Sequence, residues 1–406
     1  MAKQGVATPR ERFPEFRGTQ AWPLCQLGDA CELYQPETIS SDTFSAHGRH
    51  LVYGAGGVIG RLDRFNHEHA EVIIGCRGVC GNASLTEPES WITGNAMVIS
   101  PNEKGLSKQF LYHALCAADL SPVISGSAQP QITRQSLKRF LVAVPDDSAE
   151  QQKIADCLTS LDEVIAAQGR IVAALKAHKR GLMQQLFPRI GETRPRLRFP
   201  EFRNAAEWNT QPLGSLMTIG SSRRVHESDW TSSGVPFYRA REIVALSNRE
   251  PISPLFISDS LYAEYVGYTG EIEEGQLLVT GVGSIGIPYL VRKFDRFYFK
   301  DGNIIWLKNG QADVLGDFLF RLFESEYVQA QIATMAGIGT VGTYTIENAK
   351  RTVAVFPSDK REQQRSTDCL SSLDAEITAE SNQLAALKTH KQGLMQQLFP
   401  APEQNS

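Results

Sequence analysis

At 406 residues the chain is too long for one ordinary core and suits two or three domains, and its composition, 42% hydrophobic and 21% charged, is that of a globular protein. No apolar run approaches the ~20 residues of a membrane helix, and the opening MAKQGVATPRERFPEFR lacks the apolar core of a secretory signal, so a cytoplasmic location is expected. The net charge of −4 does not announce a nucleic-acid binder, but charge is segregated: residues 176–203 hold eight Lys/Arg against two Glu.

In chain order, a tag RFPEFR (12–17) comes first, followed by Trp22 and Leu27-Gly28. Residues 21–145 then carry short β-like runs broken by glycine, such as HLVYGAGGVIG, AEVIIGCRG and AMVISP. These predict a β-rich domain with a helix over 109–120. The stretch GAGGVIG (54–60) lacks the G-x-G-x-x-G spacing of a dinucleotide loop and reads as a tight turn or β-bulge. His47, His50, His67 and His69 cluster around Glu68 without further ligands at metal spacing, so no metal site is expected. Glu103-Lys104 and Asp146-Asp147 match nuclease carboxylate–lysine sets only loosely; a turn and a helix cap explain them better. The seven cysteines are scattered, and only Cys76 and Cys80 are close, at a spacing no common zinc pair uses; reduced thiols are expected.

Asp146, Asp147 and Ser148 stand ready to cap a long proline-free helix over 150–187. Stepping four then three residues from Ile154 meets Leu158, Leu161, Ile165, Gln168, Val172, Leu175, Lys179, Leu182 and Leu186, eight of ten apolar. That is a heptad seam, which calls for a partner helix. Pro188 ends it.

The tag RFPEFR then returns at 198–203, with Trp208 and Leu213-Gly214 at the earlier spacing. Residues 207–357 form a second β-rich region, with runs GQLLVTGVGSIGIPYLV and NIIWLK and a helix expected over 317–331. Polar loops come late in each region, SGSAQPQITR (125–134) and GIGTVGTYTI (337–346). A second long helix follows, with EQQRSTDCLSSLDAEI matching EQQKIADCLTSLDEVI at 10 of 16 positions. Its end LKTHKQGLMQQLFP (387–400) matches LKAHKRGLMQQLFP (175–188) at 12 of 14. Its seam runs through Ser366, Leu370, Leu373, Ile377, Glu380, Leu384, Leu387, Lys391, Leu394 and Leu398, seven of ten apolar, with two polar breaks recurring at the equivalent places. Faint echoes survive inside the variable regions: Gly94-Asn95 and Gly302-Asn303, Lys138-Arg139 and Lys350-Arg351.

The expected fold is therefore α+β, a tandem repeat. A first domain spans 1–147, a first helix 148–188 and a linker with the second tag 189–206. A second domain spans 207–358, a second helix 359–400 and a tail 401–406. The near-identical seams predict an antiparallel coiled coil of the two helices, rods of roughly 50 Å, with a pseudo-twofold relating the two domains.

Two differing domains alternating with two near-identical heptad helices resemble the DNA-specificity subunit of type I restriction–modification systems. The marks that carry the resemblance are the duplicated KRGLMQQLFP/KQGLMQQLFP endings, the duplicated RFPEFR tags and the E-Q-Q-K/R starts at Glu150 and Glu362. The resemblance implies two target-recognition domains, each reading one half of a bipartite asymmetric site in double-stranded DNA. It implies helices that set the spacer and dock methyltransferase subunits, two of them, with restriction/translocase subunits joining. S-adenosylmethionine, ATP and magnesium would belong to those partners; the chain itself shows neither an N-P-P-F/Y motif nor a P-loop and is expected to be non-catalytic, without cofactor or membrane contact. Base readout and phosphate contact would then fall to Arg, Gln, Thr and Tyr side chains in the variable domains. The candidates are Arg61, Arg64, Gln129, Gln131 and Arg134 in the first domain, and Arg223, Arg224, Arg239, Arg241, Thr343 and Tyr344 in the second. A self-contained DNA enzyme, a coiled-coil adaptor for proteins and an orphan modification system are the alternatives; salt dependence of DNA binding separates the adaptor from a DNA reader.

Overall fold

The computed structural model of the chain describes residues 5–102, 105–126, 128–310, 313–337 and 342–400. Glu103-Lys104, parts of the two late polar loops and the tail from residue 401 lie outside the described residues. Helices and strands are mixed, and the chain divides into two compact units: Met1–Ile171 with Glu380–Ser406, and Val172–Ala379. The division runs through both long helices, so each unit takes the first half of one and the second half of the other.

Among the described residues the first unit holds four small sheets, one of them only the two-stranded pair Ile124–Ser125 and Gln131–Ile132. In the largest, Cys31–Tyr34, Ala96–Pro101, Val72–Gly75 and Ala83–Leu85 lie side by side, all antiparallel. Val72–Gly75 is buried throughout, which suits its unbroken Val-Ile-Ile run. A second sheet holds His50–Gly54 between Gly57–Leu62 and Trp91–Ile92, with a register shift at Val52/Tyr53. The glycines of 54–60 make this hairpin turn, and Gly57 adopts φ 108, which a side chain would resist. In the third, Trp22–Gln26 pairs with Val6–Ala7 and Leu141–Ala143. The expected helix over 109–120 is Lys108–Ala117, capped by the Ser107 hydroxyl.

The second unit repeats the plan with different contents. Thr218–Gly220, Ile304–Lys308, Leu277–Thr280 and Pro288–Leu290 form one sheet, and Trp230–Thr231, Leu255–Ile257, Val235–Tyr238 and Tyr298–Phe299 another. Asn209–Pro212 pairs with Val353–Phe356 where the first unit pairs Trp22–Gln26 with Leu141–Ala143. The single helix expected over 317–331 is two: Gly316–Glu324 and Glu326–Ala336. They break at Ser325, whose backbone is extended (φ −75, ψ 154) and whose hydroxyl donates to the Leu322 carbonyl at 2.6 Å. Periodicity alone does not register such a local competitor for the helical hydrogen bond.

The long helices are Ser148–Leu186 and Lys360–Leu398, each 39 residues. Asp147 caps the first through the Ala149 N–H at 2.8 Å, and Asp359 caps the second through the Arg361 N–H at 2.9 Å. Every expected seam residue is buried or half-buried: Leu158, Leu161, Ile165, Val172, Leu175 and Leu182 on the first helix, and Leu370, Leu373, Ile377, Leu384, Leu387 and Leu394 on the second.

The cores explain why the helix ends are duplicated. In the first unit, Trp22 meets Phe110 edge-on at 5.8 Å and Phe399 at 6.3 Å. In the second, Trp208 meets Phe318 at 5.6 Å and Phe187 at 6.2 Å. Each LMQQLFP ending therefore plugs the core of the unit in which its helix finishes, not the unit in which it starts.

Candidate nucleic-acid interface

The repeated residues fix the frame on which any interface stands. Arg12 of the first tag donates from Nε and Nη2 to Glu150 at 2.7 and 2.5 Å, and the Trp22 indole N–H donates to the same carboxylate at 3.2 Å. Arg198 makes the same fork on Glu362 at 2.7 and 2.6 Å, joined by Trp208 at 3.1 Å. The next residue of each E-Q-Q start is equally matched. Gln151 accepts from the Ser107 N–H and donates to the Pro145 carbonyl, and Gln363 accepts from the Leu315 N–H and donates to the Pro357 carbonyl. The Leu-Gly pairs fit too: a Cβ on Gly28 would meet the Lys138 carbonyl at 3.1 Å, and one on Gly214 the Lys350 carbonyl at 3.1 Å. Nothing in the sequence states what the tags touch; their co-occurrence with the E-Q-Q starts is the available signal.

The polar breaks of the seam are also paired. In the first unit Lys391 reaches Asp162 at 2.5 Å, and Gln168 donates to the Glu380 carbonyl at 3.1 Å and to its carboxylate. In the second unit Lys179 reaches Asp374 at 2.7 Å, where Arg321 adds a second cation at 2.6 Å. Burial opposes ionisation of Asp374, but the Lys179 and Arg321 contacts hold its carboxyl below the usual range. As numbering rises along one helix segment of a unit it falls along the other.

Of the first-domain candidates, Gln129, Gln131 and Arg134 are exposed and share one stretch of chain. Gln131–Ile132 pairs with Ile124–Ser125, Gln129 lies in the intervening turn, and Arg134 opens the helix Arg134–Lys138 behind the Thr133 cap. A bridge to Gln131 places the exposed Arg77 beside them, a residue the sequence did not single out. Arg61 and Arg64 belong to the other sheet: Arg61 lies opposite Leu51, and Arg64 stacks over the Trp91 ring at 4.8 Å. The histidines of 47–69 form no joint site. His50 bonds the Glu89 carbonyl at 2.7 Å, and His67 bonds the Tyr34 hydroxyl at 3.0 Å. Among the described residues no group of three or more metal-ligating side chains converges.

In the second domain Arg223 is exposed and lies over Tyr268 at 4.3 Å and Tyr265 at 5.5 Å, while Arg224 is paired with Asp301 at 3.2 Å. Arg239 and Arg241 both hold the buried Glu242, at 2.9 and 2.6 Å. Burial works against that carboxylate, and the hydrogen bonds from Arg239 and Arg241 overcome it, keeping its pKa below the usual range. Thr343 is exposed. Tyr344 is a correction: it is 1% exposed, its hydroxyl bonds Thr352 at 2.6 Å, and burial pushes its pKa up to about 12. A ring locked in the core cannot meet a base.

What the sequence reading missed is the helix Asp259–Thr269, which places Tyr262, Tyr265 and Tyr268 at spacing three, the first buried, the second half-buried and the third exposed. Arg296 lies over Tyr262 at 5.1 Å and Arg223 over the other two, and Tyr298 packs against Tyr262 and Tyr265. Arg296 is at the same time paired with Asp259 at 2.6 Å, whereas the Arg223 guanidinium, laid on its aromatic faces, can turn its outer donors to phosphate or base edges.

Each unit also holds a groove lined by repeated residues. The first has a volume of about 610 Å³, with Arg10, Gln392, Met395, Gln396 and Phe399 in its wall. The second, about 530 Å³, is lined by the counterparts Arg196, Met183, Gln184 and Phe187.

Residues 20–177 match the family model for the type I restriction modification DNA specificity domain. A protein of Haemophilus influenzae bearing the name of a type I restriction enzyme specificity subunit is 24% identical over 282 residues, 67% of this chain and 68% of that one. The EcoprrI specificity subunit of Escherichia coli is 26% identical over 137 residues, 32% of this chain and 33% of its own. Among solved structures, the type I restriction–modification S subunit of M. genitalium matches with a TM-score of 0.64 and 16% identity, over 97% of this chain and 99% of that one. A chain from a structural study of type I complex assembly matches with a TM-score of 0.55 and 15% identity, over 97% and 100%. At those identities the structures speak for the fold, while the sequence matches speak for descent. Residues 20–177 thus match the type I specificity domain, and the chain as a whole is similar, in sequence to specificity subunits and in fold to the solved ones.

Proposed function

We propose that the chain is the sequence-reading, non-catalytic subunit of a type I restriction–modification complex, binding a bipartite asymmetric target in double-stranded DNA. The observation that carries this reading is the frame itself. One Arg–Glu–Trp clamp, built from repeated residues, holds each of two domains whose surfaces differ. Identical mountings with different faces suit two readers of different half-sites. The helices act as an antiparallel coiled coil and spacer ruler with a pseudo-twofold; the opposed Asp162–Lys391 and Lys179–Asp374 pairs, related by the repeat, support that register. A stiff connector gives the second domain a high effective concentration only at the right spacing.

The two grooves of matching lining favour two copies of one docking partner, assigned here as methyltransferase subunits, with restriction subunits joining through them. S-adenosylmethionine, ATP and magnesium reside in those partners, and the complex works in the cytoplasm. Among the described residues no helix is long and apolar enough to cross a membrane.

The test is a methylation map: the chain is expressed with its methyltransferase partner in a host lacking adenine methylation, and modified bases are located by single-molecule sequencing. Methylation within a split, asymmetric motif of fixed gap is the expected result. A continuous motif would overturn the two-reader reading. No methylation from a soluble, assembled pair would favour a protein adaptor, the reading to which the net charge of −4 gives some weight.

A further inference from the structure

Among the described residues the most exposed large apolar side chain is Phe294, 90% accessible. It stands at the tip of a turn between the buried Val291 and Phe297, both anchored in a core cluster with Leu278 and Trp306. One carboxylate braces the turn. Asp295 accepts from the Arg292 N–H at 2.7 Å and from the Tyr289 hydroxyl at 2.9 Å, and its own N–H returns to the Arg292 carbonyl at 3.1 Å. The braced backbone fixes where the ring stands, so that insertion has only the ring's own rotamers to order. Its neighbours Arg292, Lys293 and Arg296 are all exposed, and Arg296 is also the first guanidinium of the stacked Tyr262–Tyr265–Tyr268 face. The first domain's turn at the matching place, 86–90, carries Glu87 and Glu89 and no aromatic.

An apolar ring ringed by cations, next to a row of arginine–tyrosine stacks, fits a polyanion with π-faces between its charges. We propose that Phe294 is a wedge that enters a base step of the half-site read by the second domain, unstacking and kinking the duplex there while Arg292 and Lys293 hold the flanking phosphates and Arg296, paired with Asp259 at 2.6 Å, fixes the base of the turn. Wedges of this kind favour the easily opened pyrimidine–purine steps, so the second half-site is read partly by deformability. The first half-site is read without a wedge. This rests on the DNA-reading function proposed above.

The experiment uses the full chain assembled with its methyltransferase partner and a duplex bearing the mapped target, with 2-aminopurine walked through both half-sites. Apart from the target adenines, which a methyltransferase takes out of the stack in either half-site, wild type is expected to brighten the probe at one further step, in the second half-site only. Phe294→Ala is expected to abolish that signal and to weaken binding by about fivefold or more, with Phe294→Trp retaining both. Binding to the split target with no brightened step beyond the target adenines, or with a further signal indifferent to Phe294→Ala, would sink the wedge and leave the two-reader function standing. Loss of methyltransferase assembly in Phe294→Ala would reassign the turn to protein docking. A complex that ignores the duplex altogether would instead remove the underlying function.

Discussion

The buried clamps are where single residues matter most to this fold. Arg12 and Glu150 have side chains 9% and 2% exposed, and Arg198 and Glu362 5% and 3%. Removing one partner leaves a buried charge without its counter-ion. Arg12→Ala or Arg198→Ala is therefore expected to destabilise its own unit by about 3–5 kcal/mol, read as a denaturation midpoint shift confined to amides of that unit in hydrogen exchange. A second residue sets an acid limit. Burial, then Lys391, depress the His113 pKa from 6.5 to about 4, against the opposing pull of Asp162. Its Nε2 faces the Thr159 hydroxyl at 3.1 Å. The folded state prefers the neutral ring, so its contribution is complete above pH 6.5 and is lost progressively as pH falls towards 4. In His113→Gln the fall in melting temperature across that window should be shallower; an unchanged slope would mean other groups carry the acid sensitivity.

At the scale of elements, the long helices are specified twice, by an apolar seam and by its polar interruptions. Lys391 opposite Asp162 and Lys179 opposite Asp374 penalise any slipped register, because a shift of one turn would leave half-buried charges unpaired. Under the ruler reading, seven residues inserted at equivalent places in both helices preserve the seam and lengthen each by ~10 Å, about three base-pair steps. The methylation map of that variant is expected to show a wider gap between unchanged half-sites; an unchanged gap would remove the ruler. The split of the expected 317–331 helix at Ser325 lies at the same scale. Apolar periodicity continued through the break, and a side-chain hydroxyl bonding backward decided against it.

At the scale of the whole molecule, each unit is assembled from separated pieces of chain. Leu398 and Phe399, near the end of the sequence, belong to the core of the first domain's unit, and Leu186 and Phe187 to that of the second. Phe399→Ala is accordingly expected to loosen the first unit by about 3–5 kcal/mol, exposing Trp22 to quenchers while leaving Trp208 protected; loosening of the second unit instead would contradict this assignment. DNA reading is tested at the same scale. Arg134→Ala or Gln131→Ala should relax discrimination in one half-site only, by ~1–3 kcal/mol per lost bidentate contact. A uniform loss over both would make these residues phosphate contacts or structural ones.

The sequence by itself determined the repeat, the helix seams with their polar breaks, and the glycine-broken β regions, because these are properties of neighbouring residues and of exact duplication. It also determined which residues form the frame, since tags, E-Q-Q starts and LMQQLFP endings recur together. Only the tertiary structure decided what each touches. The Arg12–Glu150 fork joins residues 138 apart and the Gln168–Glu380 contact residues 212 apart, and periodicity carries no signal over such separations. For the same reason the reading included Tyr344, polar-looking in a loop but closed into the core, and passed over Arg77 and the Tyr262–Tyr265–Tyr268 face. Whether a side chain is offered to solvent depends on what the rest of the chain packs against it.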